Sequence, residues 1–309
     1  MHSPIAAQIV EMSKLVAYVA TLIAAPKAAL TQKNLDGAIE AMGLREVHVS
    51  WLAVNGAVDV TFTTQDPETA LKRLSLFLKD TQIDYFFQQK KDRRKKLLIA
   101  DMDSTMIVEE CLDELARFKG LQQEISHITA CAMSGELDFE AALKERVALL
   151  AGVTRAEISQ LIERLTLMPG ARALVTTMRF HGAYTALVSS GFEPFTESIA
   201  TRLGFDETRA NTLLMKDHCI MGQLAYPVLG RHEKLRALEE IRQAHLIPQQ
   251  LTLAVGDGAN DLDMLQGSGL GVAYHAKPIV AQAARARIDH ADLTALLYAQ
   301  GYRQEEFRQ

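Results

Sequence analysis

The chain has 309 residues, 48% hydrophobic and 23% charged, with a formal net charge of −5. That composition describes a globular protein longer than one core usually supports, so two or more domains are expected. The acidic balance gives no global footprint for nucleic acid.

In chain order, residues 15–23 read as a strand. The surrounding apolar stretch ends at Pro26 and is too short to span a bilayer. Glu11 offsets Lys14 ahead of it, which argues against a signal peptide. Residues 30–42 have helical spacing, with Leu35, Ile39 and Met42 on one face. Residues 47–53 and 58–63 are strands joined across Asn55-Gly56, a strong hairpin signal. A helix at 67–78 and a strand at 83–87 complete a βαββαβ order over residues 1–90, that of a ferredoxin-like fold. This order resembles the ACT-type domains found beside enzymes of amino-acid metabolism. No polar constellation in it points to catalysis.

The run Lys90-Lys91-Asp92-Arg93-Arg94-Lys95-Lys96 reads as a solvated linker. Leu97 to Ala100 then form a short apolar strand ending in Asp101-Met102-Asp103-Ser104-Thr105. Alternation sends Asp101 and Asp103 to the same side, and ligands of open parallel sheets bind beyond the strands' carboxyl ends. Two close carboxylates repel unless a cation or shared proton offsets them, so the stretch calls for a metal and offers a nucleophile.

Residues 111–165 are helical, broken at Gly120, Ser134-Gly135 and Gly152, with no strand between. They form a cap inserted after the first core strand. Arg146 falls on an apolar stripe with Phe139, Leu143 and Leu150. There it either snorkels or holds an anion in a sheltered pocket. Past Met168-Pro169-Gly170 come a helix at 171–180, a strand at 183–188 ending in Ser189-Ser190-Gly191, and a helix from about Pro194. Small residues at such a turn let backbone N–H groups approach an oxyanion. Residues 212–228, with Gly222 between apolar segments, read as a hairpin flap. The helix at 233–241 places Lys234 on the face of Leu238 and Ile241, an unusual position for a lysine. A strand at 251–255 delivers Gly256-Asp257-Gly258-Ala259-Asn260-Asp261, a turn with three oxygen-bearing side chains. A further strand at 269–274 precedes a largely helical remainder. Strands alternating with helices after residue 96 give a doubly wound parallel α/β core, Rossmann-like, at 96–106 and 168–309, with the cap at 107–167.

Clustered carboxylates suit Mg²⁺, and a lysine with a hydroxyl suits phosphate oxygens. His127, His181, His218, His232 and His275 share no spacing, so zinc is not indicated. Cys111, Cys131 and Cys219 are odd in number and widely spaced, which suggests reduced thiols in the cytoplasm rather than disulfides.

Four ordered motifs, Asp101-Met102-Asp103-Ser104-Thr105, Val188-Ser189, Lys234 and Gly256-Asp257-Gly258-Ala259-Asn260-Asp261, resemble those of the haloacid dehalogenase superfamily over residues 96 to about 290. The cap position and Glu110, nine residues after Asp101, resemble its phosphoserine phosphatase branch. The resemblance implies Mg²⁺-dependent hydrolysis of O-phosphoserine through an aspartyl-phosphate, the last step of L-serine biosynthesis. Asp101 would be the nucleophile and Asp103 the proton donor and acceptor. Asp101, the backbone carbonyl of Asp103 and Asp257 would hold the metal, with Asp261 behind them. Ser189, Ser190, Lys234 and Asn260 would hold phosphate. Glu110 would take the ammonium and Arg146 the carboxylate, between Met133 and Phe139. The family usually has glycine at position 190; the serine here is expected to turn its side chain away from phosphate. The other readings are a phosphatase or phosphotransferase for another small ester, and an amino-acid-sensing regulator. Neither nucleic acid nor membrane is an expected partner, and the N-terminal domain is read as dimerising or binding an effector such as serine, with a purely stabilising role as the remaining alternative.

Overall fold

The computed structural model describes residues 16–134 and 137–309, without the side chains of 132–134. The leader question at residues 1–14 and the helix break at Gly135 lie outside the described residues. The chain divides into two compact units: residues up to Lys95 together with Ala286–Phe307, and Lys96–Arg285 together with Arg308–Gln309.

The first unit follows the βαββαβ order, with β1 (Val16–Ala24), α1 (Gln32–Met42), β2 (Val47–Ala53), β3 (Ala57–Thr64), α2 (Pro67–Leu78) and β4 (Ile83–Gln89). Its antiparallel sheet runs β2-β3-β1-β4. Strand alternation sends Tyr18, Ala20 and Leu22 of β1 and Val58, Val60 and Phe62 of β3 into one apolar cluster with Leu35, Ala38, Leu74 and Leu78 of the helices. Thr31 caps α1 by accepting the Asn34 N–H at 3.2 Å, and Asp66 caps α2 by accepting the Thr69 N–H at 3.1 Å.

In the second unit, β5 (Leu97–Ala100) is followed by the cap helices α3 (Cys111–Lys119), α4 (Gln122–Ser134), α5 (Phe139–Leu149) and α6 (Arg155–Arg164). The chain enters and leaves the cap side by side: Val108 N–H donates to Thr166 O at 3.0 Å and Met168 N–H to Met106 O at 2.9 Å. Then come α7 (Ala171–Phe180), β6 (Tyr184–Phe192), α8 (Glu193–Leu203), β7 (Glu207–Asn211), β8 (Leu213–Lys216), β9 (Cys219–Leu224), α9 (Arg231–Ala244), β10 (Thr252–Gly256), α10 (Leu262–Gly267), β11 (Leu270–Tyr274) and α11 (Pro278–Ala283). The parallel strands of this unit lie in the order β11-β10-β5-β6-β7. β5 sits between β10 and β6, and Ala100 pairs with both Val255 and Leu187. The motif at the end of β6 and those that follow β5 and β10 therefore emerge side by side.

Strands β8 and β9 make the expected hairpin, but Gly222 is not its turn. Asp217 and His218 turn it, both at positive φ, and Gly222 lies within β9. A side chain at Gly222 would come within 3.1 Å of the Ala148 carbonyl, so the glycine lets the flap lie against α5.

The remainder contains β12 (Ala286–Ile288) and α12 (Ala295–Ala299). The sequence pattern assigns this stretch to the second domain and reads it as largely helical; the structure gives it a strand and groups it with the first unit. Polar contacts account for the grouping. Asp84 of β4 accepts the N–H groups of Asp289, His290 and Ala291 at 2.9, 3.0 and 2.7 Å. Arg93 pairs with Asp59, donates to Thr21 Oγ1 at 3.0 Å, and donates to the carbonyls of Tyr298 and Ala299 at 3.1 Å each. The basic run is thus not wholly a solvated linker: the Arg93 side chain is only 13% exposed. No helix among the described residues is long and apolar enough to cross a membrane.

Candidate active site

The site forms where β5, β6 and β10 end together. Asp101 follows β5, still in ladder register, with its N–H donating to Val255 O at 3.0 Å. The chain then coils around one carbonyl: Met102 O accepts the N–H groups of Thr105, Met106 and Ile107. Ser104 takes φ 55°, a left-handed conformation uncommon outside glycine, and its hydroxyl donates to Glu110 Oε1 at 2.8 Å.

Lys234 is fully buried, with Nζ 2.6 Å from Oδ1 of Asp101 and 2.6 Å from Oδ1 of Asp261. Burial disfavours its ammonium, but the two carboxylates outweigh this and raise its pKa. Asp261 uses its other oxygen to accept the Gly258 N–H at 3.0 Å. A Cβ on Gly256 would lie 2.4 Å from the Asp261 carboxyl, so the glycine is required by close approach. Asp257 Oδ1 accepts from the buried hydroxyl of Thr105 at 3.3 Å.

Asp101, Asp257 and Asp261 each offer an oxygen within 4.8 Å of the others. Burial, then the Asp261 charge, pushes Asp101 well above the usual carboxylate range against the pull of Lys234. The same two causes bring Asp257 to about 7. Like charges held this close, all on hard oxygen donors, fit a divalent cation such as Mg²⁺. Asp261 has one oxygen on Lys234 and the other on a backbone N–H, which suits it to support rather than direct ligation.

Asp103 accepts the Cys111 N–H through Oδ2 at 3.3 Å, while its Oδ1 is buried and has no hydrogen-bond partner among the described residues. Burial, then the charge of Glu110, raises its pKa to about 7. A carboxyl partly protonated at neutral pH, with an unengaged oxygen, is equipped to give and take a proton.

Ser189 is 1% exposed and its Oγ accepts the Gly191 N–H at 2.9 Å. The Ser190 Oγ accepts from Asn260 Nδ2 at 3.2 Å. On the cap, Arg146 donates through Nε to Ala142 O at 3.3 Å. Burial lowers its pKa, opposed by the nearby charges of Asp113 and Glu110. Arg146 and Glu110 are therefore electrostatic neighbours although they sit on different helix ends. The Phe139 ring lies against Gly230, just ahead of α9. The Met133 side chain lies outside the described residues.

Sequence reasoning assigned no role to Thr105 or Cys111, which both touch the acidic groups. It gave none to Asn211, whose partners are 18 and 21 residues away and leave no local signal. A cavity of about 680 Å³ opens instead near the start of β6, by Lys96, Tyr184 and His245. It gathers none of the motif carboxylates, so chemistry rather than volume locates the site.

The haloacid dehalogenase-like hydrolase family matches residues 98–266. A probable phosphoserine phosphatase of Schizosaccharomyces pombe is 35% identical over 264 residues, 85% of this chain and 88% of the relative. A phosphoserine phosphatase of Streptomyces coelicolor is 40% identical over 214 residues, 69% of this chain and 52% of the relative. The chain thus spans about half the length of some curated relatives it matches. A solved structure of a phospho-aspartyl intermediate analogue of phosphoserine phosphatase superimposes with a TM-score of 0.62 at 38% identity, over 66% of this chain and 98% of that one.

Proposed function

The chain belongs to the haloacid dehalogenase-like hydrolases, in their phosphoserine phosphatase branch, and from that membership we propose that it hydrolyses O-phospho-L-serine to L-serine and phosphate. The observation that carries this reading is the convergence of Asp101, Asp103 and Asp257 at adjacent strand ends with Lys234 of α9, where Glu110 acts on Asp103 and Asp257 and Arg146 in turn is a neighbour of Glu110.

Asp101 is the nucleophile and forms an aspartyl-phosphate. Lys234 favours its ionised form and also meets phosphate oxygens, alongside Ser189 and Asn260. Asp103 protonates the departing seryl oxygen and then takes a proton from the attacking water. Mg²⁺ would be held by Asp101, Asp257 and the backbone carbonyl of Asp103, with Asp261 behind; when bound, it draws charge from the phosphoryl group and screens anionic repulsion. Glu110 pairs with the substrate ammonium. Arg146 clamps the carboxylate as the cap, residues 107–167, covers the core and excludes water. Phe139 supplies an apolar wall, and Met133 is assigned the same role.

The odd number and wide spacing of Cys111, Cys131 and Cys219 fit a reducing compartment, and we place the reaction in the cytoplasm. The N-terminal unit is proposed to dimerise or to bind an effector, which mass measurement with and without L-serine would test. The central experiment is phosphate release with Mg²⁺ from O-phosphoserine, O-phosphothreonine and simple phosphate esters. Preference for O-phosphoserine supports the reading. Preference for a simple ester would move the assignment to another phosphatase of the family.

A further inference from the structure

Asn211 closes β7 and is 1% exposed. Its side chain is committed to the backbone of two other segments. Nδ2 donates to Ser190 O at 2.8 Å and to Leu229 O at 3.3 Å, and Oδ1 accepts the Leu229 N–H at 2.6 Å. One segment carries Ser189 and Ser190. The other opens α9, which presents Lys234.

The ladder between β6 and β7 explains why such a residue is needed. Pairing is regular through Ala186↔Glu207, Leu187↔Thr208 and Val188↔Arg209, then slips so that Phe192 faces Asn211. Residues 189–191 of β6 therefore stand opposite Ala210 alone, an irregularity of the kind that re-aims side chains beside active sites. Leaving the ladder costs the Ser190 carbonyl its strand partner, and a buried acceptor requires a replacement. The Asn211 amide is that replacement. On the other side, the Ser190 hydroxyl takes the amide of Asn260. The end of β6, the turn after β10 and the segment ahead of α9 are thereby joined through Ser190 and Asn211.

We propose that Asn211 is a positioning residue of the phosphate site. It fixes the Ser189–Ser190 segment to the start of α9, so that the Ser189 hydroxyl and the Lys234 ammonium are held at the separation a phosphoryl group requires. The proposal rests on the phosphatase reading above. Asn211 acts through these backbone contacts and not on the substrate itself. A displacement of about 1 Å in such a pair is enough to cost on the order of 100-fold in rate.

The test uses the full chain with Mg²⁺, comparing wild type with Asn211→Ala and Asn211→Asp. The aspartate keeps the volume and the acceptor for Leu229 N–H but removes both donors, so it carries the same expectation if the alanine variant fails to fold. Per folded molecule, kcat/KM is expected to fall about 10- to 100-fold, by a common factor on O-phosphoserine and on phenyl phosphate. Inhibition by inorganic phosphate should weaken about tenfold, a loss of about 1.4 kcal/mol in binding. A lowered melting temperature with kcat/KM and phosphate affinity within about twofold of wild type would make Asn211 merely structural and overturn the proposal. Loss confined to O-phosphoserine would also overturn it, because the effect would then lie at the amino-acid end. If wild type releases no phosphate from either ester, the phosphatase reading fails. Asn211 is then judged by calorimetric binding of inorganic phosphate with Mg²⁺: weaker binding in the variants supports the proposal, and binding equal to wild type or none at all overturns it.

Discussion

Lys234 Nζ lies 2.6 Å from Asp101 Oδ1, with the lysine side chain fully buried and the aspartate side chain 7% exposed. The ammonium also meets Asp261 at 2.6 Å, so one cation holds two carboxylates that repel each other. Lys234 therefore has two separable effects, one on folding and one on the nucleophile.

Replacing Lys234 with methionine keeps an apolar stem but leaves both carboxylates without their cation. Breaking a buried pair by removing one partner costs about 3–5 kcal/mol. Denaturant unfolding of the metal-free protein should report a loss of that size. Phosphate release should fall at least about 100-fold, because a preorganised charge is missing where phosphate oxygens develop charge. A variant with near wild-type turnover would remove Lys234 from the phosphate site.

Arg146→Ala separates recognition of the leaving group from the chemistry. We expect kcat/KM on O-phosphoserine to fall about 100-fold, since a charge-assisted pair in a desolvated pocket is lost. On phenyl phosphate, which has no carboxylate, the loss should stay within about threefold. Equal losses on both substrates would sink the carboxylate clamp.

Removing divalent cations with a chelator should stop phosphate release, and Mg²⁺ should restore it. The carboxylate cluster adds a readout independent of turnover. Mg²⁺ at about 100 times its dissociation constant should add about 2.7 kcal/mol to unfolding stability. Asp257→Asn should abolish most of that increment. A Mg²⁺-induced stabilisation of equal size in Asp257→Asn would show that the ion binds elsewhere.

In the first unit, Asp84→Ala should release the segment Ala286–Phe307. Three backbone N–H groups lose a charged acceptor, and each such bond contributes roughly 1.5–3 kcal/mol. Limited proteolysis should cut within 286–307 faster in the variant, with mass spectrometry locating the cut. Unchanged protection of that segment would assign its attachment to Arg93 instead.

Much of the core was legible because its signals are local. The apolar run Leu97–Ala100, the Asp-rich turns after two strands and the buried face of α9 each lie within a few residues of chain, and each appears where expected. Strand β7 and strand β12 were not anticipated. β7, Glu-Thr-Arg-Ala-Asn, is polar and lacks the apolar run of a central strand, and β12 is only three residues long. The hairpin within 212–228 was legible but its turn was not: Asp217 and His218 take positive φ without being glycine, while Gly222, also at positive φ, packs closely against α5.

By itself the sequence determined which residue types end each core strand, and hence that carboxylates, a hydroxyl and an ammonium are available for phosphate chemistry. Periodicity and turn chemistry are properties of neighbouring residues, so a linear reading reaches them. Tertiary structure decided how these groups share their bonds: that Lys234 serves Asp101 and Asp261 at once, that Asp103 keeps one oxygen unengaged, and that Asn211 holds two distant backbones together. It also decided that Arg93 and Asp84 hold the segment Ala286–Phe307 in the first unit. Those outcomes depend on burial and on partners far along the chain, where desolvation makes each polar group require a specific neighbour. No pattern within a short window encodes that requirement.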